Sequence, residues 1–534
     1  MALQYRAMRR EGAGRMPAAV IVVVAGLGAG LLTACQGSSG PSAPELAPAT
    51  PGFSMRLHPT VNADGDVDAI EVESLLTGGL EPGADYLKLM APVVYVNVLN
   101  IADRVTELKV TDAQGAVAFT LQDDEPVPGG YPYFRHWTAE RSVEFPIKIS
   151  YRALVQPEGG PRGPAFGIRP SAGGVSGAGA GFLLVPENAA SQISSLDWDL
   201  TAFDKPSVGV TTFGEGHVEV PGPPYNLMQG WIMAGPAERY PDPGTDSKFH
   251  AYWLGDFPFD ERAAMAFTSE MYTYFETYFD HLDPAPDYRV FMRLLDTPPY
   301  GGGTALANSF MLSRGPLVEG EVDGDSPRTT FVHELLHQWS GSLSGGAIDT
   351  NWFSEGLTTY FEYTLPFRSG HISFEEYVAG LNALSYKYYT GKARDWSIGD
   401  IKKVGFGDDE IRHVPYQRGA LYFADLDSRL RKASGGQAGL HHFLGPVLKA
   451  REAGDVDLTT SAWSQFVSDV LEDDELAFVQ ALHTDGMIFF PAPDSFGRCV
   501  VGERTVFERD GKRFEGIRWA PAPDIVPDSC LEED

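Results

Sequence analysis

Two histidines, His333 and His337, stand four residues apart in the run HELLH, with Glu334 beside the first of them. On a helix, at 100° per residue, the pair lies about 40° apart on one face and one turn from each other, so both imidazoles can reach a single tetrahedral metal ion. Glu334 flanks them, placed to take a proton from water rather than to ligate. Glu355 follows 18 positions after His337, inside the helix-like segment NWFSEGLTTYFEY. The arrangement is therefore two imidazoles on one helix and a carboxylate on the next. Three protein ligands with a fourth position open to water are what a hydrolytic zinc site needs, so one zinc ion on His333, His337 and Glu355 is expected.

A metzincin would carry Gly three positions after the second histidine and a further His six positions after it. Ser340 and Leu343 stand there instead, which excludes that variant. HELLHQW followed by WFSEGLTTY resembles the gluzincin metallopeptidases, including aminopeptidase N, and the chain looks most like the glycyl aminopeptidase family over roughly residues 55–490. That resemblance implies a β domain, a thermolysin-like catalytic domain and a helical domain. It also implies a peptide or protein substrate, with His333, His337 and Glu355 as zinc ligands and Glu334 as general base. The segment between His337 and Glu355 is one residue shorter than is usual in the aminopeptidase N type.

Two further segments are similar to gluzincin elements. In VPYQRGALYFADL (414–426), Tyr416 occupies the position of the tyrosine that donates its hydroxyl to the tetrahedral intermediate, while His413 reads as structural. YGGGTALANSF (300–310) falls about where gluzincins place the edge strand that pairs with substrate backbone, which makes Gly301, Gly302, Gly303 and Thr304 the substrate-binding candidates. The glutamate that binds a substrate's α-amine in aminopeptidases is absent from this strand. Aminopeptidase action is still expected, with an acid from the β domain or from VEGEVDGD (318–325) serving the amine. An endopeptidase of the same fold, a zinc hydrolase acting on another bond, and a non-catalytic zinc-containing surface binding protein are the alternatives.

The elements that must hold these residues follow from pattern. Short strand-like runs such as 91–100, 142–155 and 207–213, broken by Gly, Pro, Asp and Asn, predict an all-β sandwich-like domain over 53–222, with the Gly/Ala/Ser stretch 171–181 as a flexible loop inside it. Strands alternating with amphipathic helices predict an α/β catalytic domain over 223–400. It contains a helix within 260–282, a strand at 288–295, a strand at 300–312 entered through glycines, and a helix starting at Ser326-Pro327. Ser373 and Glu376 form a capping box, and 401–490 reads as a helical domain, followed by a tail over 491–534.

With 41 Lys and Arg against 72 Asp and Glu, a net charge of −31 argues against partners that present phosphate backbones, so nucleic acid is excluded. The chain opens with arginines, then an apolar run from Met16 to Leu32 that ends at Leu32-Thr33-Ala34-Cys35. This reads as a secretory signal over 1–34 and resembles a bacterial lipobox, with Cys35 the lipidated residue and 35–52 a flexible tether. An ordinary signal peptide or an anchor helix is the alternative. The expected location is the cell envelope, on the outer membrane facing the periplasm or the cell surface. No other run is long and apolar enough to span a bilayer. Cys499 and Cys530 remain as an isolated pair, which in an oxidising compartment reads as one disulfide, the alternative being two free thiols.

Overall fold

The computed structural model describes residues 51–161, 163–279, 281–316, 327–523, 525 and 530–531. Cys35, the signal and most of the tether lie outside the described residues. The chain is multidomain, with a sheet-rich N-terminal half and a helical C-terminal region. In the first half, Phe53, Met55 and Leu57 turn inward while Ser54, Arg56 and His58 lie nearer solvent, the period-two pattern of a half-buried strand. That strand, Phe53–Val61, pairs antiparallel with Val67–Leu76 and parallel with Ile193–Trp198 in a seven-stranded sheet. A four-stranded and a five-stranded sheet pack with it around one shared core.

The Gly/Ala/Ser stretch is not a loop. Gly174–Ala178 is a fully buried strand paired with Trp231–Gly235 and Arg169–Ser171, and Gly179–Gly181 is a buried 3-10 turn. Its glycines serve close packing: a β-carbon at Gly177 would sit 2.8 Å from the Gly167 carbonyl oxygen. Composition alone could not separate that role from flexibility.

The second half is built on a five-stranded sheet in the order Glu238–Tyr240, Phe249–Leu254, Tyr288–Leu294, Ser309–Arg314, Gly303–Leu306, with the three middle strands parallel. Residues 300–312 therefore form a hairpin rather than one strand. It turns at Ala307-Asn308, where Asn308 adopts φ +56° as asparagine tolerates, and its first arm becomes the sheet edge. The middle strands are apolar on both faces because both are covered. Trp253, Val290, Met292, Phe310 and Leu312 face the helices, whereas Leu254, Phe291 and Met311 join the β-domain core. Arg293 strengthens that junction by donating to the carbonyls of Ala165, Gly167 and Ser176, and burial lowers its pKa to about 9. The two halves thus share a packed, hydrogen-bonded interface.

Seven helices matter to the site: α1 (Glu261–Tyr278), α2 (Arg328–Ser340), α3 (Ala347–Arg368), α4 (Phe374–Thr390), α5 (Ile398–Val404), α6 (Asp409–Arg412) and α7 (Val414–Ala433). Asp260 caps α1 and the Ser373/Glu376 box caps α4, both by side-chain bonds to otherwise free amides. Ser326, the expected cap of α2, lies outside the described residues. The expected tail contains a hairpin, Val500–Arg509 with Lys512–Pro521, that packs on α4 through the Trp519 indole N–H to Ser385 Oγ bond, 2.8 Å. Cys499 and Cys530 are joined by a disulfide at its base. Among the described residues no helix is long and apolar enough to cross a membrane.

Candidate metal centre

Helix α2 lies under the parallel strands, held by the Phe310–Phe331 stack at 6.0 Å and by the Tyr288 hydroxyl, which donates to the Glu334 carbonyl at 3.2 Å. These contacts fix which face of α2 turns toward the cavity, and it is the face bearing His333 and His337. Helix α3 brings Glu355 against them: its Oε2 lies 3.2 Å from Nε2 of His333 and 3.2 Å from Nε2 of His337. The ligand atoms of the three residues all fall within 4.8 Å of one another. Around zinc, donors at about 2.0–2.2 Å in tetrahedral geometry stand about 3.3 Å apart, so this donor set and spacing fit that ion.

Tyr416 reaches the same place because α3 and α7 cross with their backbones nearly touching. A β-carbon at Gly356 would lie 2.5 Å from Gly419 Cα, and one at Gly419 would lie 2.3 Å from the Trp352 carbonyl oxygen. Glu355 precedes the first of these glycines and Tyr416 stands three before the second. The close crossing stacks the phenol ring on His333 at 5.8 Å between centroids. Arg418, the basic residue of the same motif, points away from the cavity and donates to the carbonyls of Leu482, Arg394 and Trp396, tying α7 to the helical region.

A cavity of about 1290 Å³ opens over the cluster, roomier than the roughly 300–1,000 Å³ usual for small-molecule pockets. His333, Glu334, His337, Glu355 and Tyr416 all line it. Of the four glycine-strand candidates, Gly302, Gly303 and Thr304 line it too, whereas Gly301 packs against Ser313 instead. Gly303 lies directly on Glu334, since a β-carbon there would approach Glu334 Cγ to 2.5 Å and Oε1 to 2.6 Å. Residues 318–325 lie outside the described residues.

Comparison with known proteins finds likeness in family and in fold. A family model described as M61 glycyl aminopeptidase matches residues 345–400, the segment that carries Glu355 and runs through α4. A solved aminopeptidase N family protein from Idiomarina loihiensis superposes with a TM-score of 0.64 at 15% identity, covering 85% of this chain and 79% of that one. The chain resembles the gluzincin metallopeptidases. At that identity the structural likeness is one of fold. Native leukotriene A4 hydrolase from Saccharomyces cerevisiae aligns at a TM-score of 0.45 and 16% identity, over 82% of this chain and 68% of that one. No curated protein matches by sequence.

Within the gluzincin-like site, electrostatics follow from burial and pairing. Burial opposes a charge on His333, yet bonds to Glu355 and Glu362 outweigh it and hold its pKa well above 6.5. Burial likewise opposes ionisation of Glu355, but His337 and His333 overcome it and keep the carboxylate ionised. Burial pushes Glu334 up, against the pull of His333 and His337, a direction that suits a group taking up and passing on a proton. The Tyr416 phenol is raised, chiefly by burial and then by Glu355, so it remains a neutral hydrogen-bond donor.

Two participants were not read from the sequence. Glu362 Oε2 stands 2.6 Å from His333 Nδ1, and a carboxylate on that nitrogen orients the ring so that Nε2 faces Glu355. Its spacing of seven from Glu355, two turns along one face of α3, was the available signal. Arg412 is the other: its Nη1 donates to the Tyr416 hydroxyl at 3.3 Å. Nothing in the sequence distinguishes it from the other arginines.

Proposed function

We propose that the protein is a zinc metallopeptidase that hydrolyses peptide bonds, acting as an aminopeptidase. The observation that carries this reading is Glu355 Oε2 standing 3.2 Å from both histidine Nε2 atoms, in a cavity that Glu334, Tyr416 and Gly303, Thr304 and Ala305 of the edge strand also line. An extended peptide pairs with that edge strand through its main chain. A zinc ion on His333, His337 and Glu355 would supply the Lewis acidity that polarises the scissile carbonyl and acidifies a water. Glu334 takes the proton of the attacking water and hands it to the leaving amine. Tyr416 donates a hydrogen bond to the oxyanion and keeps its proton.

One observation favours endopeptidase action as a second reading. Among the described residues, the five carboxylates lining the cavity are all engaged: Glu334 with the Ala305 amide, Glu355 and Glu362 with the histidines, Asp409 with Arg412, and Glu410 with Arg509. A buried ammonium without a carboxylate is costly, so an aminopeptidase here has to share one of these groups or use one outside the described residues. We also propose a cell-envelope lipoprotein anchored through Cys35. The Cys499–Cys530 disulfide supports the oxidising compartment that this location requires.

The test is hydrolysis of free-amine peptides and of their N-acetylated twins by the zinc-loaded protein. Parent activity that a chelator abolishes, with Glu334→Gln retaining zinc but losing roughly 100-fold or more, is expected. Parent-rate hydrolysis by Glu334→Gln would refute the mechanism, and equal rates on acetylated twins would replace aminopeptidase with endopeptidase.

A further inference from the structure

Arg412 sits between two aromatic rings, its guanidinium carbon 5.7 Å from the centroid of Phe406 and 6.0 Å from that of Tyr416. Three polar contacts fix its plane. Nη1 donates to the Tyr416 hydroxyl at 3.3 Å, Nη2 donates to Asp409 Oδ1 at 3.3 Å, and Nη2 also lies 3.3 Å from Nε2 of His413. A guanidinium can only donate, so Nε2 of His413 accepts; His413 therefore carries its proton on Nδ1, which stands 2.6 Å from the Asp409 carbonyl. His413 is thus a neutral acceptor that holds the arginine.

The same rule settles the phenol. Because Arg412 brings no lone pair, the Tyr416 oxygen accepts from it, and its own proton is left to donate elsewhere. A phenol can donate only one proton, and this arrangement prevents that proton from turning back toward α6. A positive charge at the phenol oxygen also makes its O–H a stronger donor.

Arg412 is in turn held from the β domain. The ring of Tyr131 lies 5.7 Å from that of Phe406, and the Phe406 amide donates to the Gly129 carbonyl at 3.5 Å. Gly405, at φ +54°, lets the two loops touch, since a β-carbon there would be 2.6 Å from the Gly129 oxygen. The chain of contacts runs from the β-domain loop through Phe406 and Arg412 to Tyr416.

We propose that Arg412 is a positioning residue that holds Tyr416 as a hydrogen-bond donor into the cavity, acting on the reaction only through that phenol. The proposal rests on the metallopeptidase reading above. Arg412→Gln is expected to lower kcat about 10-fold with KM nearly unchanged, and Arg412→Lys, which keeps one donor but not the fork, to lose less. The deciding measurement is a double-mutant cycle with Tyr416→Phe. If Arg412 acts through the phenol, Arg412→Gln makes no further difference once the hydroxyl is gone. An equal fold loss in both backgrounds overturns the proposal, as does a rise in KM at constant kcat, which would make Arg412 a substrate contact.

A second readout does not depend on turnover. In protein labelled with 3-fluorotyrosine, the fluorine resonance that disappears in Tyr416→Phe is that of Tyr416, and it should shift in Arg412→Gln. An unmoved resonance overturns the contact itself. A zinc-loaded parent that cleaves no peptide defeats the proposed function, and the resonance then decides the Arg412–Tyr416 coupling separately.

Discussion

Removing the carboxylate of Glu362 should weaken zinc binding without touching a ligand. Its Oε2 stands 2.6 Å from His333 Nδ1, with both side chains little exposed, 10% and 13%. A charge-assisted bond of this kind contributes about 1.5–3 kcal/mol, and loss of an outer carboxylate on a zinc-bound histidine typically costs about 10- to 100-fold in affinity. The cost depends on pH for a reason visible in the site. Glu362 stabilises the imidazole when it holds zinc, and it also helps keep the zinc-free His333 protonated, with a pKa well above 6.5. Zinc must displace that proton, so near neutrality the two effects partly cancel and Glu362→Gln should cost roughly 10-fold or less. Raising the pH removes that proton from the zinc-free His333, so the compensation shrinks and the cost should climb toward roughly 100-fold. Competition against a chromophoric chelator at two pH values measures both. A zinc affinity within about 2-fold of the parent at the alkaline value would refute the assignment.

Two other predictions concern neighbours of the site. Gly303→Ala places a β-carbon 2.5 Å from Glu334 Cγ and should displace that proposed base, lowering kcat roughly 10- to 100-fold while zinc stoichiometry stays at one; an unchanged kcat would show that the strand yields instead. His413 has its pKa lowered from 6.5 to about 4, first by burial and then by Arg412, so the unfolded chain binds a proton that the folded one refuses. The stability it contributes is complete above pH 6.5 and is lost as the pH falls toward 4. Urea unfolding across that window should therefore show a smaller acid-induced loss in His413→Asn than in the parent, and parallel curves would contradict it.

Motif chemistry was legible in the sequence because it depends on spacing along one element. Four residues on a helix place His333 and His337 on one face whatever surrounds them, and the Ser373/Glu376 box forms from local hydrogen bonds alone. Periodicity likewise located the strand Tyr288–Leu294 and the long helix after Asp260, since a buried stripe has the same period before and after folding. Glycine-rich segments were harder to read. Gly174–Ala178 is a buried strand and residues 300–312 are a hairpin, because what a glycine does depends on the backbone it meets, and that backbone comes from elsewhere in the chain.

What the tertiary structure decided lies between elements. Only the crossing of α3 and α7 at Gly356 and Gly419 stacks Tyr416 on His333, and only packing gives the buried Arg418 a role in tying the helical region together while Arg412, six residues earlier, touches the phenol. Glu362 belongs to the site because α2 and α3 pack at one particular rotation, which no local preference sets. Charge behaves the same way: whether a histidine such as His333 or His413 gains or refuses a proton is set by the groups that folding buries beside it. Residue type and local spacing could therefore pick out His333, Glu334, His337 and Glu355, and resemblance added Tyr416, while their partners and protonation awaited the three-dimensional arrangement, since burial and cross-element contact exist only in the folded chain.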